Sequence, residues 1–181
     1  MIRGEVHSPH EILQEVDEMG GLLLAITAWV HLLSAIVWIG GIFFILYVAL
    51  PVAGKTLDQP GKIMGPLSKR FVPLANISIF LIIASGIIMS IASHEFTGDS
   101  RLSGLRAQSL VVKVLLVVIM ASIHFYRGLI LVPGIARLSS EGGHPEKVQK
   151  LQTFSLNLVK INFLLGIMVL LLTGMLYVYR A

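Results

Sequence analysis

The sequence predicts an all-α integral membrane protein, a bundle of four transmembrane helices with a short amphipathic helix ahead of it. Three observations predict this class. Hydrophobic residues make up 55% of the chain and charged residues 13%, about half the charged share of a soluble domain, and mean hydropathy is +0.84. Apolar runs long enough for the roughly 20 residues that a bilayer requires stand at 22–50, 71–93, 109–133 and 154–179. The charged residues collect in the links between them. The chain thus divides into an acidic extramembrane segment, 1–21, and a four-helix transmembrane domain, 22–181.

The N-terminal "SPHEILQEVDEMGG" offers Ser8 as an N-cap, Pro9 at the first helical position and Glu11 three residues after Ser8, the arrangement of a capping box. A short acidic helix is expected there, ended by Gly20 and Gly21. It either fixes the entry of span 1 or docks a basic partner. Span 1 is not expected to be a cleaved signal: polar and acidic residues precede it, it exceeds a signal's apolar region, and no small-residue cleavage site follows. The link after span 1 carries Lys55, Lys62, Lys69 and Arg70, and the link after span 3 carries Arg137, Lys147 and Lys150. The positive-inside rule sets both in the cytoplasm, with the N- and C-termini outside. A bacterial-type inner (cytoplasmic) membrane is the expected location.

The chain has no cysteine, which excludes disulfides and thiolate-held clusters. Its formal charge of +4 sits beside the spans, so nucleic-acid binding is not expected. There is no HExxH, Walker or GxGxxG sequence, and protease, nucleotide-hydrolysing and dinucleotide-binding classes lose support. His7, His10, His94 and His144 lie outside the spans and read as solvent-exposed side chains.

Polar groups inside spans are costly and mark sites or helix contacts. In span 1, "AWVHLLSAIVWIGG" places Ser34 and Trp38 on the face of His31, followed by Gly40 and Gly41, where a flat ligand or another backbone can approach. In span 3, Lys113, Met120, His124 and Arg127 form one stripe. A lone intramembrane histidine most simply makes an interhelical hydrogen bond. Two of them on parallel spans point further, because bundle cores hold porphyrins between helices and imidazole ligates haem iron. His124 lies deeper than His31 by roughly 9 Å, so Met120, water or a neutral Lys113 are alternative second ligands. Lys113 also reads as snorkelling, as does Lys160, and Arg127 reads either as a lipid-phosphate contact or as a propionate partner. A weak internal repeat sets His31 against His124, and Ser85-Gly86 of span 2 against Thr173-Gly174 of span 4.

The run "VHLLSAIVWIGGIFFILYVALP", followed by "LVVKVLLVVIMASIHFY", resembles the membrane domain of copper-resistance protein D and its relatives, which include the HemJ-type protoporphyrinogen oxidases. The matching positions are His31, Trp38 and Gly40-Gly41, then Lys113 with His124, and Ser85-Gly86 between them. The resemblance implies a haem b site on the first-helix histidine in one branch and copper transfer across the membrane in the other.

These readings converge on a b-type cytochrome with one haem between spans 1 and 3. His31 and His124 would hold the iron, with Lys113 or Met120 as the alternative second ligand, Trp38 and Gly41 would form a wall, and Arg127 would lie at the rim. Such a protein would carry electrons as a subunit of a larger respiratory complex, with lipid and other membrane subunits around it and quinol or a soluble carrier at the outer face. The alternatives are copper transport by way of His31, His124, Met89, Met120 and Met175, oxidation of a porphyrin precursor, and an accessory subunit without haem.

Overall fold

A computed structural model describes residues 9–56, 61–92, 105–142 and 145–178. Apart from Glu141 and Gly142, every one of those residues is helical. The helices are α1 (Pro9–Ala35), α2 (Gly41–Phe44), α3 (Leu50–Thr56), α4 (Gly61–Ala92), α5 (Leu105–Tyr126), α6 (Val132–Ser140) and α7 (Pro145–Val178). Four stretches are long and apolar enough to cross a membrane: span 1, Asp17–Lys55; span 2, Met64–Ala92; span 3, Gln108–Ser140; and span 4, Pro145–Met175. All four begin before the apolar runs in the sequence. A backbone in lipid must satisfy its own hydrogen bonds, and extending the helix past the apolar run does so at no cost.

The same physics corrects the expected N-terminal helix. Pro9 does open a helix, but α1 runs through Gly20 and Gly21 without a break. Two helical glycines cost about 1 kcal/mol each, less than leaving backbone groups unpaired at the membrane edge. Ser8 lies outside the described residues.

Three single π-helical turns interrupt the spans, at Ile36–Gly40 and Ile45–Ala49 in span 1 and at Arg127–Leu131 in span 3. The last two each end two residues before a proline, Pro51 and Pro133. A proline lacks the N–H for its own helical bond and its ring crowds the carbonyl four residues back; a widened turn relieves both. Span 3 stops at Gly142, whose φ of +69° is the left-handed conformation that glycine adopts freely at a helix C-terminus. Glu141 N–H donates to the Arg137 carbonyl at 3.2 Å, and the two side chains pair at 3.0 Å.

Span 1 packs along span 2, and span 3 along span 4. The two hairpins meet over a core of Trp38, Ile39 and Ile42 from span 1, Ala75 and Ile79 from span 2, and Met120 from span 3. Lipid tails are as apolar as leucine, so close packing rather than water exclusion holds such a bundle together, and small residues permit it. Ser34, Ser78, Ser85 and Ser155 are all buried along the seams. Gly166 of span 4 is buried between Ile39 and Met120, where an added Cβ would lie 3.2–3.3 Å from their side chains. Phe163, one turn before it, stacks on Phe43 and Tyr47 with ring centroids 5.9 and 5.6 Å away.

Candidate functional site

His31 projects from α1 into the seam with span 2. Its Nδ1 lies 2.9 Å from Ser85 Oγ. The Ser85 hydroxyl, 2.5 Å from the Leu81 carbonyl and 3.3 Å from that of Ile82, must spend its one proton on that backbone. It therefore accepts from His31 Nδ1–H, and the Ile82 backbone also lies within hydrogen-bonding reach of the ring. Gly86 abuts the ring: a Cβ there would sit 3.5 Å from His31 Cε1. Lys113, half-buried on span 3, is close enough for its charge to bear on His31.

His124 is 8% exposed and belongs to a different layer. Its Nε2–H donates to Asn76 Oδ1 at 2.9 Å, and its ring meets the Trp38 indole edge-on, centroids 6.2 Å apart at 88°. Asn76 and Ser85 are nine residues apart along α4, about 13 Å at the rise of an α-helix. The two imidazoles are therefore held in different layers against span 2. The expected haem iron between His31 and His124 would have to bridge these layers.

The π turns explain the separation. Setting Ile45–Ala49 against Arg127–Leu131 also matches Phe43-Phe44 with Phe125-Tyr126, Pro51 with Pro133 and Lys55 with Arg137. In that register His31 corresponds to Lys113, and His124 corresponds to Ile42. The repeat read from the two histidines is out of register. Its other half also fails, because Gly86 packs on His31 whereas Gly174 has nothing within 4 Å.

The remaining expected residues divide. Met120 and His124 are buried and Lys113 and Arg127 half-buried, so the span 3 stripe does face inward. Gly41 is not an open wall: the Phe71 ring fills the space beside it. Gly40 faces outward with nothing within 4 Å. Met175 is 59% exposed on the lipid side and Lys160 is exposed. The Arg127 side chain lines a cavity of about 190 Å³ with His124, Ser68, Phe71 and Asn162. Among the described residues no three His, Cys, Asp or Glu side chains come together as a metal cluster. His7, His94 and His144 lie outside the described residues, and His10 is exposed.

Asn76, Asn162 and Phe71 were missed in the sequence. An asparagine inside an apolar span is itself a signal, because its amide needs a partner there.

The family model for copper resistance protein D matches residues 65–176. The chain belongs to the CopD family. The match takes in spans 2, 3 and 4 and with them Asn76, Ser85, Lys113, His124, Arg127 and Asn162. No curated protein and no solved structure matches the chain. As a CopD family member with four apolar helices, it is a multi-pass membrane protein.

Proposed function

We propose that this CopD family protein handles copper within the membrane and that His31 is the side chain that takes the ion. The observation that carries this reading is the contact of His31 Nδ1 with Ser85 Oγ at 2.9 Å. An imidazole whose Nδ1–H is held by a second group presents Nε2 as a ligand in one orientation, which is how protein sites prepare histidine for a metal. Ser85, itself anchored on the Leu81 carbonyl, is that second group. Copper(I) is soft and accepts few ligands, of which imidazole nitrogen and thioether sulfur are the kinds available in a chain without cysteine. Met89, half-buried one turn from Ser85 on the same helical side, is the thioether that span 2 offers. His124 and Met120 form a separate layer deeper in the bundle.

Titration of the purified protein with copper(I) against a chelator tests this reading. His31→Ala should abolish stoichiometric binding. Ser85→Ala should weaken it by about 10–100-fold, the usual cost of losing an orienting group. Wild-type affinity in His31→Ala overturns the proposal.

A second reading rests on the placement of His31 and Lys113, both half-buried, on spans 1 and 3. In it the two side chains would hold one haem b, and the protein would carry electrons for other subunits of a redox complex, with quinol or a soluble carrier as donor. A haem with both axial positions filled supplies electron transfer rather than oxygen chemistry. A reduced-minus-oxidised absorption spectrum separates the two readings: an α-band of the b type, lost in His31→Ala, supports haem, and a colourless preparation excludes it.

Both readings set the two basic links in the cytoplasm. Because the chain has no cysteine, Lys55→Cys or Lys150→Cys introduces a single thiol. In intact cells an impermeant maleimide should leave both unlabelled and should label them after permeabilisation; labelling of either in intact cells reverses the orientation.

A further inference from the structure

The cavity beside His124 holds two polar groups that the copper reading does not use. Arg127 is half-buried and has no ion pair or hydrogen bond among the described residues. Asn162 is 3% exposed, lines the same cavity, and its Oδ1 has no hydrogen-bond partner. Both conditions are expensive. An arginine inside the bilayer is disfavoured unless its charge is met, and a buried acceptor without a donor has given up its water for nothing.

Among the described residues no carboxylate pairs with Arg127. Beyond Asp17 and Glu18 at the rim of span 1 and Glu146 at the start of span 4, no span carries a carboxylate. The Arg127 side chain turns inward, onto the cavity that it lines with His124 and Asn162. Arg137, the next cation along span 3, is ten residues on, about 15 Å nearer the membrane edge. A ligand that enters the bundle and meets both Arg127 and Asn162 would complete the site.

The cavity states the requirements. Its walls are apolar, Ile42, Ile45, Phe71, Val72, Ile123 and Val159. Its volume, about 190 Å³, exceeds the roughly 150 Å³ in which an apolar protein cavity binds benzene, so a substituted aromatic ring fits. The polar groups set the substituents. Arg127 offers N–H donors and positive charge, which call for an acceptor or anionic oxygen. Asn162 Oδ1 calls for an O–H. His124, whose Nε2–H is taken by Asn76, has Nδ1 as a second acceptor.

We propose that this cavity is a binding site for a small aromatic ring bearing two oxygen substituents, one accepting from Arg127 and the other donating to Asn162 Oδ1. Two sources share this chemistry: a hydroquinone dissolved in the membrane and an aromatic hydroxy-acid. The site lies in the His124 layer and is separate from the copper ligand His31.

Fluorescence quenching tests the proposal in the full-length protein. The chain has two tryptophans; Trp29 is 63% exposed on the lipid side, and Trp29→Phe leaves Trp38, in contact with His124, as the reporter. The probes are trimethylhydroquinone and para-hydroxybenzoate, with trimethylbenzene as the ring without hydroxyls. At least one hydroxylated probe should quench saturably, about tenfold or more tighter than trimethylbenzene, and the one that does identifies the source. Arg127→Gln and Asn162→Leu should each weaken that binding about tenfold or more, with copper binding intact. His31→Ala should do the reverse. Asn162→Asp supplies Arg127 with an internal carboxylate, so it should abolish probe binding and raise the melting temperature. Absence of saturable quenching by both hydroxylated probes, equal quenching by trimethylbenzene, or unchanged affinity in Asn162→Leu overturns the proposal. Should Arg127→Gln not fold, Asn162→Leu and Asn162→Asp decide it.

Discussion

Trp38→Ala is expected to lower the stability of the bundle by about 3 kcal/mol, the lower end of the range for truncating a large aromatic core side chain. Trp38 is 1% exposed and lies where three spans meet, packed with Ile39, Ile79 and Met120 and against the His124 ring. In a soluble protein such a truncation loses both transfer energy and packing. Here the separated helices remain in lipid, where an indole is already among apolar groups, so the loss is mainly of contacts. The cost should show as a lower midpoint when the protein in mixed micelles is unfolded by a denaturing detergent. Trp38→Phe is the informative partner. The indole Nε1–H has no acceptor among the described residues, so phenylalanine removes an unsatisfied donor along with some volume, and its cost should be well under that of alanine. Equal midpoints for Trp38→Ala and wild type would show that the hairpins do not meet at this residue.

Gly41→Leu should destabilise the protein by about 1–3 kcal/mol or more, the cost of forcing extra volume into a packed seam. Even a single Cβ at this position would overlap the Phe71 ring. Gly41 stands on span 1 and Phe71 on span 2, so the collision pushes the first hairpin apart or turns the ring out. Phe71 lines the Arg127–Asn162 cavity, and a displaced ring would also reduce that space. The double variant Gly41→Leu/Phe71→Ala should recover much of the loss, because the larger side chain then occupies the volume that the ring vacates. Additive costs in the double variant would place the damage elsewhere. Gly40, with open space beside it, should accept alanine with little effect, although the two glycines are adjacent in the sequence.

The resemblance to the CopD family was legible in the same few residues that suggested a site, and the family match bears it out. The inward-facing stripe on span 3 was also legible, because the 3.6-residue period alone puts Met120, His124 and Arg127 on one side. The layer each histidine occupies was not, because the internal repeat read from them set the two at equivalent positions. That repeat assumed that like residues on parallel spans mark equivalent positions, whereas the prolines and the widened turns before them set a register in which His31 faces the level of Lys113. A single residue type is a poor marker of repeat register; the backbone irregularity forced by Pro51 and Pro133 is a better one. Gly41 misled for a related reason. A glycine shows that something approaches closely, and the sequence does not say whether a cofactor or a neighbouring Phe71 takes the space.

By itself the sequence determined the four spans and their all-helical character, because a bilayer demands long apolar runs with internally satisfied backbones, and those runs are visible without a fold. It also determined that no cysteine ligand exists and that no carboxylate lies within the four apolar runs. Only the tertiary structure decided which polar groups meet. Ser85 holds His31 and Asn76 holds His124, contacts across 54 and 48 residues of chain respectively, and Arg127 and Asn162 converge on one cavity. The reason is physical: helical periodicity fixes the face on which a side chain stands, but its depth against another helix depends on how the helices are shifted along one another. That shift is set by close contacts such as Gly166 between Ile39 and Met120, and these exist only once the bundle has packed.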